Sequence, residues 1–239
     1  MNKEHFSISS EEYCIPAVLW GEASSKLLIA VHGNLSNKED TVISILAEEA
    51  VKKGYQVLSF DLPKHGERIN EDYACNPPNC VRDLIAVYEY AKLTAAEISL
   101  FACSMGAYFS LLAYHDLALE QSLFLSPVVN MERIINNMMD GFHITAERLR
   151  AEQEIKLPIG ETLIWDYYQY VRAHPICFDW NMPTAILYGS DDNLSEFSEI
   201  SAFAARYQAE VRIIEHGEHF FHTEKQLQAF ELWVSDSLL

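Results

Sequence analysis

Apolar runs of strand length that alternate with amphipathic helical patterns are the feature that most constrains the fold. Runs such as KLLIAVH (26–32), EISLFAC (97–103) and PTAILYG (183–189) are apolar on both faces. Strands of this kind, when helices separate them, belong to a parallel sheet that is covered on both sides. The sequence therefore predicts an α/β fold with a doubly wound, mostly parallel sheet. The predicted strands are 26–32, 55–61, 97–103, 121–127, 183–189 and 210–216, and the predicted helices are 40–53, 81–93, 104–117, 196–207 and 223–238.

The N-terminal segment has a different pattern. HFSIS (5–9) and YCIPAVLW (13–20) are two extended pieces with a polar turn between them, which predicts an antiparallel hairpin at one edge of the sheet. The chain has 239 residues, of which 49% are hydrophobic, and it shows no repeat. This length and composition predict one compact domain with a sizeable core.

One long segment interrupts the alternation of strands and helices. Between Pro127 and Pro183 there is no clear strand, and helical spacing takes its place. The helical stretches are 131–138, 146–154 and 162–171. We expect this insertion to lie over one end of the sheet. The predicted division is a core formed by 1–127 and 183–239 and a helical cap insertion at 128–182.

Charge and hydropathy exclude several classes of partner. The formal net charge is −18, which argues against a nucleic-acid partner because phosphate binding needs a basic surface. No apolar run approaches the roughly 20 residues that span a bilayer, and MNKEHFSISSEEY lacks the basic start and apolar run of a signal peptide. We therefore expect a cytoplasmic protein without a membrane span. For CNPPNC (75–80), a disulfide and a metal clip are alternatives, but cytosolic thiols stay reduced and we expect two reduced thiols.

LFACSMGAYFSLL (100–112) carries a polar residue where an apolar strand runs directly into an apolar helix. Ser104 stands at this junction, with Ala102 two residues before it and Gly106 two residues after it. A sharp turn that exposes a nucleophilic serine at the carboxyl end of a strand needs small residues at both positions. The alternative is a serine that only caps the helix. Cys103 is a poor rival nucleophile because its own flanking positions are large.

A serine nucleophile needs a histidine base. EHGEHFFHTEKQ (215–226) follows the last predicted strand and contains His216, His219 and His222. We favour His219, because His216 ends the predicted strand and His222 begins the next helix. Phe220 and Phe221 are expected to anchor His219 in the core.

The base in turn needs an acid that orients it, and this acid is expected from another loop at the same edge of the sheet. LYGSDDNLSEF (187–197) follows the preceding strand and supplies Asp191 and Asp192. Their spacing in the sequence does not separate the two, and a role in the turn or as a helix cap is the alternative. With either aspartate, the chain order is serine, aspartate, histidine.

An oxyanion formed at the serine needs backbone N–H donors. The Met105 N–H directly after the serine is one candidate. The second is expected in AVHGNLSNKED (30–40), where Gly33 permits an unusual turn. We favour the Asn34 N–H, with Leu35 as the second choice, and expect His32 to be a structural residue.

Five short motifs now occur in one order: HGN, FDLPKHGER, ACSMGA, YGSDD and GEHFF. In this order they resemble the α/β-hydrolase fold superfamily, in its esterase, lipase and serine-peptidase-like branch, over about residues 26–238. The resemblance selects Asp192 as the acid, because the acid of this family usually stands three residues after the strand-ending glycine, here Gly189. It also implies structural roles for His65 and Gly66. Ala102 departs from the usual glycine of the serine motif, and we expect a slightly altered turn there.

The resemblance implies a serine hydrolase that cleaves a carboxylic ester or a related acyl bond through an acyl-enzyme. Ser104 would attack, His219 would act as the base, Asp192 would orient it, and the Met105 and Asn34 N–H groups would bind the oxyanion. The expected partner is a small-molecule acyl substrate, with no metal or cofactor. A thioesterase, amidase or peptidase with the same residues is one alternative, and a non-catalytic binding protein on this scaffold is another.

The insertion contributes the predicted substrate-binding residues. Met138 lies on an apolar helical stripe, and Trp165 and Tyr168 lie on a second helix. We expect these three side chains to form the wall of an apolar acyl pocket above Ser104. The alternative is that both stripes pack against the helices of the sheet.

Overall fold

The computed structural model describes residues 1–10 and 13–239. In the described residues, eight strands form one large sheet, and two further strands form a separate hairpin. The strands are β1 Lys3–Ser9, β2 Cys14–Trp20, β3 Lys26–Val31, β4 Gln56–Phe60, β5 Glu97–Cys103, β6 Ser122–Leu125, β7 Glu154–Lys156, β8 Thr162–Ile164, β9 Thr184–Gly189 and β10 Glu210–Ile214. The helices are α1 Thr41–Lys52, α2 Pro77–Thr94, α3 Ser104–Tyr114, α4 Met131–Gly141, α5 Ala146–Glu152, α6 Trp165–Ala173, α7 Phe197–Tyr207 and α8 Glu224–Ser237. None of these helices is long and apolar enough to cross a membrane.

The order of strands across the sheet is β1-β2-β4-β3-β5-β6-β9-β10. The six strands β4, β3, β5, β6, β9 and β10 are each parallel to their neighbours in this order. β1 and β2 form an antiparallel pair at one edge, and β2 is also antiparallel to β4. The prediction of a doubly wound, mostly parallel sheet is therefore confirmed, and so is the edge hairpin. The expected turn at Glu11 and Glu12 lies outside the described residues.

The two faces of β3 explain why its sequence is apolar from Leu27 to Val31. Leu27, Ile29 and Val31 belong to one buried cluster, and Leu28 and Ala30 belong to a second cluster on the opposite face. Helices α1 and α8 cover the second face and pack against each other, while α2 and α3 cover the first. Alternate side chains of a strand point to opposite faces, so a strand covered on both sides must be apolar at each position.

Helix α2 begins at Pro77, four residues before the predicted start at Val81. Its first turn lacks apolar periodicity but is fixed by two local signals. The Asn76 side chain accepts a hydrogen bond from the Asn79 N–H, and proline is favourable at the first helical position because its missing N–H would have no partner there.

The segment between β6 and β9 contains a feature that the sequence analysis missed. β7 and β8 form a short antiparallel hairpin with Glu154 opposite Ile164. The prediction of a segment without strands was therefore wrong, as was the predicted helix at 162–164. Gly160 has a φ of +91° in the connecting turn, a conformation that favours glycine. α6 begins at Trp165, whose N–H donates to the Gln153 carbonyl.

A buried guanidinium joins the loop after β4 to helix α2. Arg68 is fully buried at the end of a short 3-10 turn, and its Nη1 donates to Asp83 Oδ2 at 2.6 Å. Its Nε donates to Glu71 Oε2 at 2.8 Å, and Nη1 also contacts the Asp61 carbonyl at 3.2 Å. Because the side chains of Arg68 and Asp83 are both inaccessible to solvent, each charge depends on the other for compensation.

We expect Arg68→Ala to lower the free energy of unfolding by about 3–5 kcal/mol, because it leaves the Asp83 carboxylate buried without a cation. Arg212→Ala is the matched control. Arg212 forms a 2.9 Å ion pair with Asp236 at the surface, and its loss is expected to change the stability by at most about 1 kcal/mol. Equilibrium unfolding in urea measures both variants. Equal, small losses in both would contradict the structural role of Arg68.

Candidate active site

The turn between β5 and α3 holds Ser104 in an unusual backbone conformation. Its φ is +46°, in the left-handed region that non-glycine residues seldom adopt. A Cβ atom added to Gly106 would lie 2.3 Å from the carbonyl oxygen of His32, so only glycine fits at this position. Ala102 is fully buried on the other side of the turn. The structure thus explains why the sequence has small residues on both sides of Ser104.

The Ser104 hydroxyl is directed at a histidine. Its Oγ lies 2.7 Å from His219 Nε2. Within residues 1–10 and 13–239, no backbone N–H donates to Oγ, which distinguishes Ser104 from a serine that caps its helix. The distance is that of a hydroxyl donating to an unprotonated ring nitrogen.

The other nitrogen of the same imidazole faces Asp192. His219 Nδ1 lies 2.7 Å from Asp192 Oδ2. Asp192 Oδ1 accepts hydrogen bonds from the Leu194 and Ser195 N–H groups at 2.9 Å each, and the carboxylate is fully shielded from solvent. This network assigns the proton to Nδ1 and leaves Nε2 free to accept from Ser104.

Asp191 lies elsewhere, at the surface. Its Oδ2 is 3.3 Å from Nδ1 of His216, and both side chains are exposed. β10 ends at Ile214, so the expectation that His216 ends this strand was wrong. His216 instead lies in the following turn, with a φ of +57°.

Two glycines bring the loops after β9 and β10 together. A Cβ atom added to Gly189 would lie 2.3 Å from the Gly217 carbonyl oxygen, and the Asp191 N–H donates to the same oxygen at 2.8 Å. Phe221 is buried in the core behind His219, whereas Phe220 is 68% exposed. The expectation that both phenylalanines are anchors is therefore correct for Phe221 and wrong for Phe220.

Met105 directly follows Ser104, and Gly33, the residue before the predicted donor Asn34, also lies beside it. A Cβ atom added to Gly33 would lie 3.2 Å from Ser104 Cβ, so the loop after β3 touches the turn after β5. His32 Nδ1 donates to the Gly33 carbonyl at 2.7 Å, which directs the N–H of the same peptide group, that of Asn34, away from the His32 ring. In the described part of the chain, neither this N–H nor that of Met105 has an acceptor.

His32 is a buried structural residue, as the sequence analysis expected. Its Nε2 accepts a hydrogen bond from the Leu62 N–H at 3.0 Å. Burial lowers the pKa of His32 to about 4, against the opposing effect of its bond to the Gly33 carbonyl. The ring is therefore neutral near pH 7 and keeps one donor and one acceptor for the two loops that it joins.

The Asn34 side chain has a role that the sequence did not indicate. Its Oδ1 lies 3.1 Å from His65 Nε2, and its Nδ2 donates to Glu161 Oε1 at 3.2 Å. Glu161 follows the turn of the β7–β8 hairpin. Asn34 thus links the loop that contacts Ser104 to the insertion and to the loop after β4.

Of the three predicted substrate-binding residues, Tyr168 has a structural contact. It is buried, and its hydroxyl donates to Asn136 Oδ1 at 2.9 Å, which joins α6 to α4. Trp165 packs against Tyr168 with ring centroids 6.0 Å apart, and Met138 is half-buried. Among the described residues, none of the three forms a hydrogen bond with the side chain of Ser104, His219 or Asp192.

Away from Ser104, the structure contains a cavity of about 250 Å³ between α3, α4, α6 and α7. Its lining includes Tyr108, Val129, Val171 and Phe203, but not Ser104. Across 1–10 and 13–239, no group of three or more histidine, cysteine, aspartate or glutamate residues is placed to hold a metal ion.

Comparison with known proteins finds similarity at the level of structure. No protein-family model matches the sequence, and no curated protein matches it. Est1E from Butyrivibrio proteoclasticus, in a structure with ferulic acid bound, superposes with a TM-score of 0.81 at 19% identity over 98% of this chain and 99% of that chain. Mouse alpha/beta hydrolase domain-containing protein 10 gives 0.79 at 14% identity over 98% and 97%. The Pyrococcus furiosus esterase Pf2001 gives 0.71 at 20% identity over 98% and 88%.

These similarities extend over nearly the whole of this chain and of the first two neighbours. At 14–20% identity they show the fold, and a fold does not by itself assign roles to the residues of the site.

Proposed function

We propose that this chain, which has the α/β-hydrolase fold, is a serine hydrolase that cleaves a carboxylic ester. The observation that carries the proposal is the continuous series of hydrogen bonds from Ser104 through His219 to Asp192, with both distances at 2.7 Å. A nucleophile, a base and an orienting acid in this arrangement are the groups that acyl transfer requires.

In the proposed reaction, Ser104 Oγ attacks the ester carbonyl while His219 Nε2 takes the hydroxyl proton. The carbonyl oxygen becomes an oxyanion, and the Met105 and Asn34 N–H groups stabilise it. His219 then donates its proton to the leaving alkoxide as the acyl–oxygen bond breaks. Water deprotonated by His219 hydrolyses the acyl-enzyme and releases the acid and free Ser104. Asp192 holds the ring orientation and stabilises the imidazolium in both halves of the reaction.

Two apolar side chains that follow site residues in the sequence are exposed and available to an apolar acyl group. Leu35, after Asn34, is 91% exposed, and Phe220, after His219, is 68% exposed. The esterase Pf2001 and Est1E with bound ferulic acid are structural neighbours, which favours an ester over the thioester and amide alternatives.

Ser104→Ala tests the proposal directly. The change removes the nucleophile, and we expect kcat/KM for short acyl esters to fall by roughly 10⁴–10⁶-fold. Covalent labelling by a fluorophosphonate should disappear, while the thermal unfolding temperature stays close to that of the parent chain. A panel of esters, thioesters and amides measured with the parent chain identifies the bond. Ester hydrolysis that survives in Ser104→Ala would refute the assignment of the nucleophile.

The adjacent aspartates provide a matched pair of variants. Asp192→Asn should lower kcat by about 10²–10⁴-fold, because an amide at this position does not hold His219 in the required tautomer. Asp191→Asn changes a solvent-exposed ion pair and should alter kcat by less than about threefold. Steady-state kinetics on the same ester compares the two. The reverse ranking would mean that Asp191 is the orienting acid.

We further propose that the segment 128–182 is a cap on the core formed by 1–127 and 183–239. The hydrogen bond between Asn34 and Glu161 supports this, because it ties the β7–β8 hairpin to the loop beside Ser104. The apolar stripe on α4 consists of Met131, Ile134, Ile135 and Met138. The first three are buried in the core, as the alternative interpretation expected, and Met138 is only half-buried. Met138 is therefore the member of the stripe best suited to contact an acyl chain, with Trp165 and Tyr168 on the neighbouring helix.

Met138→Gln should lower kcat/KM for long acyl esters more than for short ones, because it places an amide against the alkyl chain. Met138→Leu is the control and should preserve the preference, since it keeps a similar volume and an apolar surface. The readout is the ratio of kcat/KM values for long and short esters, beside the rate of fluorophosphonate labelling. An equal decline in all of these rates would show that Met138 supports the fold rather than the pocket.

A further inference from the structure

Two thiols face each other at the start of α2. Cys75 Sγ lies 3.7 Å from Cys80 Sγ, and both cysteines are free. Cys75 is partly exposed two residues before the helix, whereas Cys80 is fully buried in its first turn. The Cys80 N–H donates to the Asn76 carbonyl at 2.9 Å, so the backbone between the two thiols is already folded back on itself. The pair therefore needs little movement to reach bonding distance.

We propose that Cys75 and Cys80 are a redox-active dithiol that a hydroperoxide oxidises reversibly to an intramolecular disulfide. The neighbourhood gives the two sulfurs different roles. The Cys80 thiol, and after it the His65 ring, hold the pKa of Cys75 down at about 6 in spite of burial. Burial first, and then the Cys75 sulfur, raise the pKa of Cys80 well above its usual value. Cys75 is thus the thiolate that attacks, and Cys80 is the thiol that resolves.

The proposed oxidation occurs in two balanced steps. The Cys75 thiolate attacks one oxygen of hydrogen peroxide, the O–O bond breaks, and the sulfur becomes a sulfenic acid while hydroxide leaves and takes a proton. Cys80 then attacks the Cys75 sulfur, so that the S–S bond forms, the S–O bond breaks, and the departing hydroxide takes the Cys80 proton. The sum is two thiols and one peroxide giving one disulfide and two waters. A dithiol reductant reverses the change by thiol–disulfide exchange.

The dithiol is connected to the candidate active site through His65. Its Nδ1 lies 2.8 Å from the Pro63 carbonyl and its Nε2 lies 3.1 Å from Asn34 Oδ1, so both ring nitrogens face acceptors. Burial opposes protonation, but the nearby Cys75 sulfur and the bond to the Pro63 carbonyl raise the pKa of His65 overall. A disulfide removes the negative charge on Cys75 that favours the imidazolium.

Oxidation should therefore weaken the bond from His65 to Asn34. The Asn34 N–H is an oxyanion donor in the proposed function, on which this consequence rests. Loss of that donor from its position would slow acylation of Ser104. One donor contributes about 10²–10³-fold to the rate, so a partial displacement is expected to slow labelling by about tenfold.

The first experiment detects the disulfide without any reference to activity. The full chain is treated with hydrogen peroxide, denatured under acid and alkylated, and the five cysteines are mapped by mass spectrometry. The tryptic peptide that contains Cys75 and Cys80 should lose two hydrogens and resist alkylation, and dithiothreitol should restore both thiols. Cys14 and Cys177 are exposed single cysteines and serve as internal controls. A peptide that remains doubly alkylated at peroxide levels that oxidise these controls would overturn the proposal.

Two variants separate the roles of the thiols. Cys80→Ala should leave Cys75 as a sulfenic acid that a dimedone probe captures, whereas Cys75→Ser should leave Cys80 unoxidised. Circular dichroism of both variants confirms that they fold. Oxidation of Cys80 in Cys75→Ser at an undiminished rate would overturn the assignment of Cys75 as the attacking thiolate.

The second experiment measures the rate of fluorophosphonate labelling before and after peroxide. We expect labelling of the oxidised parent chain to slow about tenfold and to recover with dithiothreitol. Cys75→Ser, which retains the same methionines, should show no change with peroxide. A mapped disulfide with unchanged labelling would overturn the link to Asn34. A reduced chain that does not label at all would instead refute the proposed hydrolase function, while the mapped disulfide would stand.

Discussion

The close approach of the turn after β5 to the end of β3 is the constraint on which the rest of the site depends. β3 and β5 are parallel neighbours with Val31 opposite Ala102, so their carboxyl ends meet at one edge. The contact between Gly106 and the His32 carbonyl leaves no room for a side chain, and Ser104 adopts a positive φ at this point. Such a conformation in a non-glycine residue costs about 1–3 kcal/mol, and it persists only because the surrounding strands hold it.

A second network keeps the loop after β3 from relaxing away from this turn. The Trp20 indole donates to Ser59 Oγ at 2.8 Å, and Ser59 Oγ donates to the Lys38 carbonyl at 2.7 Å. Lys38 donates to Asp61 with its backbone N–H at 2.9 Å and with its Nζ at 2.7 Å. Lys38 and Asp61 are both buried, so each link is formed away from competing water and each is expensive to break. These hydrogen bonds thus hold the candidate oxyanion loop from outside the turn that contains Ser104.

The sequence predicted the parts of the structure that local patterns encode. Parallel strands buried on both faces are continuous apolar runs, which is why the sheet could be predicted, and small residues around a serine identify a tight turn. The start of α2 was missed because a capping asparagine and prolines carry no apolar period. The bond between Asn34 and Glu161 joins residues 127 positions apart, and no periodicity in the sequence encodes such a contact. The sequence analysis considered Cys75 and Cys80 as a pair, but the 3.7 Å distance between their sulfurs depends on how α2 begins.

The two loops after β9 and β10 carry two aspartate–histidine pairs, which differ in distance and in exposure to solvent. Asp191 and His216 are 3.3 Å apart, with side chains 54% and 81% exposed, so water competes for each partner and the pair adds little. Asp192 and His219 are 2.7 Å apart, with side chains 0% and 16% exposed. The two backbone N–H groups on one oxygen of Asp192 offset its desolvation and aim the other oxygen at the ring. The imidazole is therefore oriented before any ligand arrives, and a positive charge that forms on it meets a carboxylate that does not have to move.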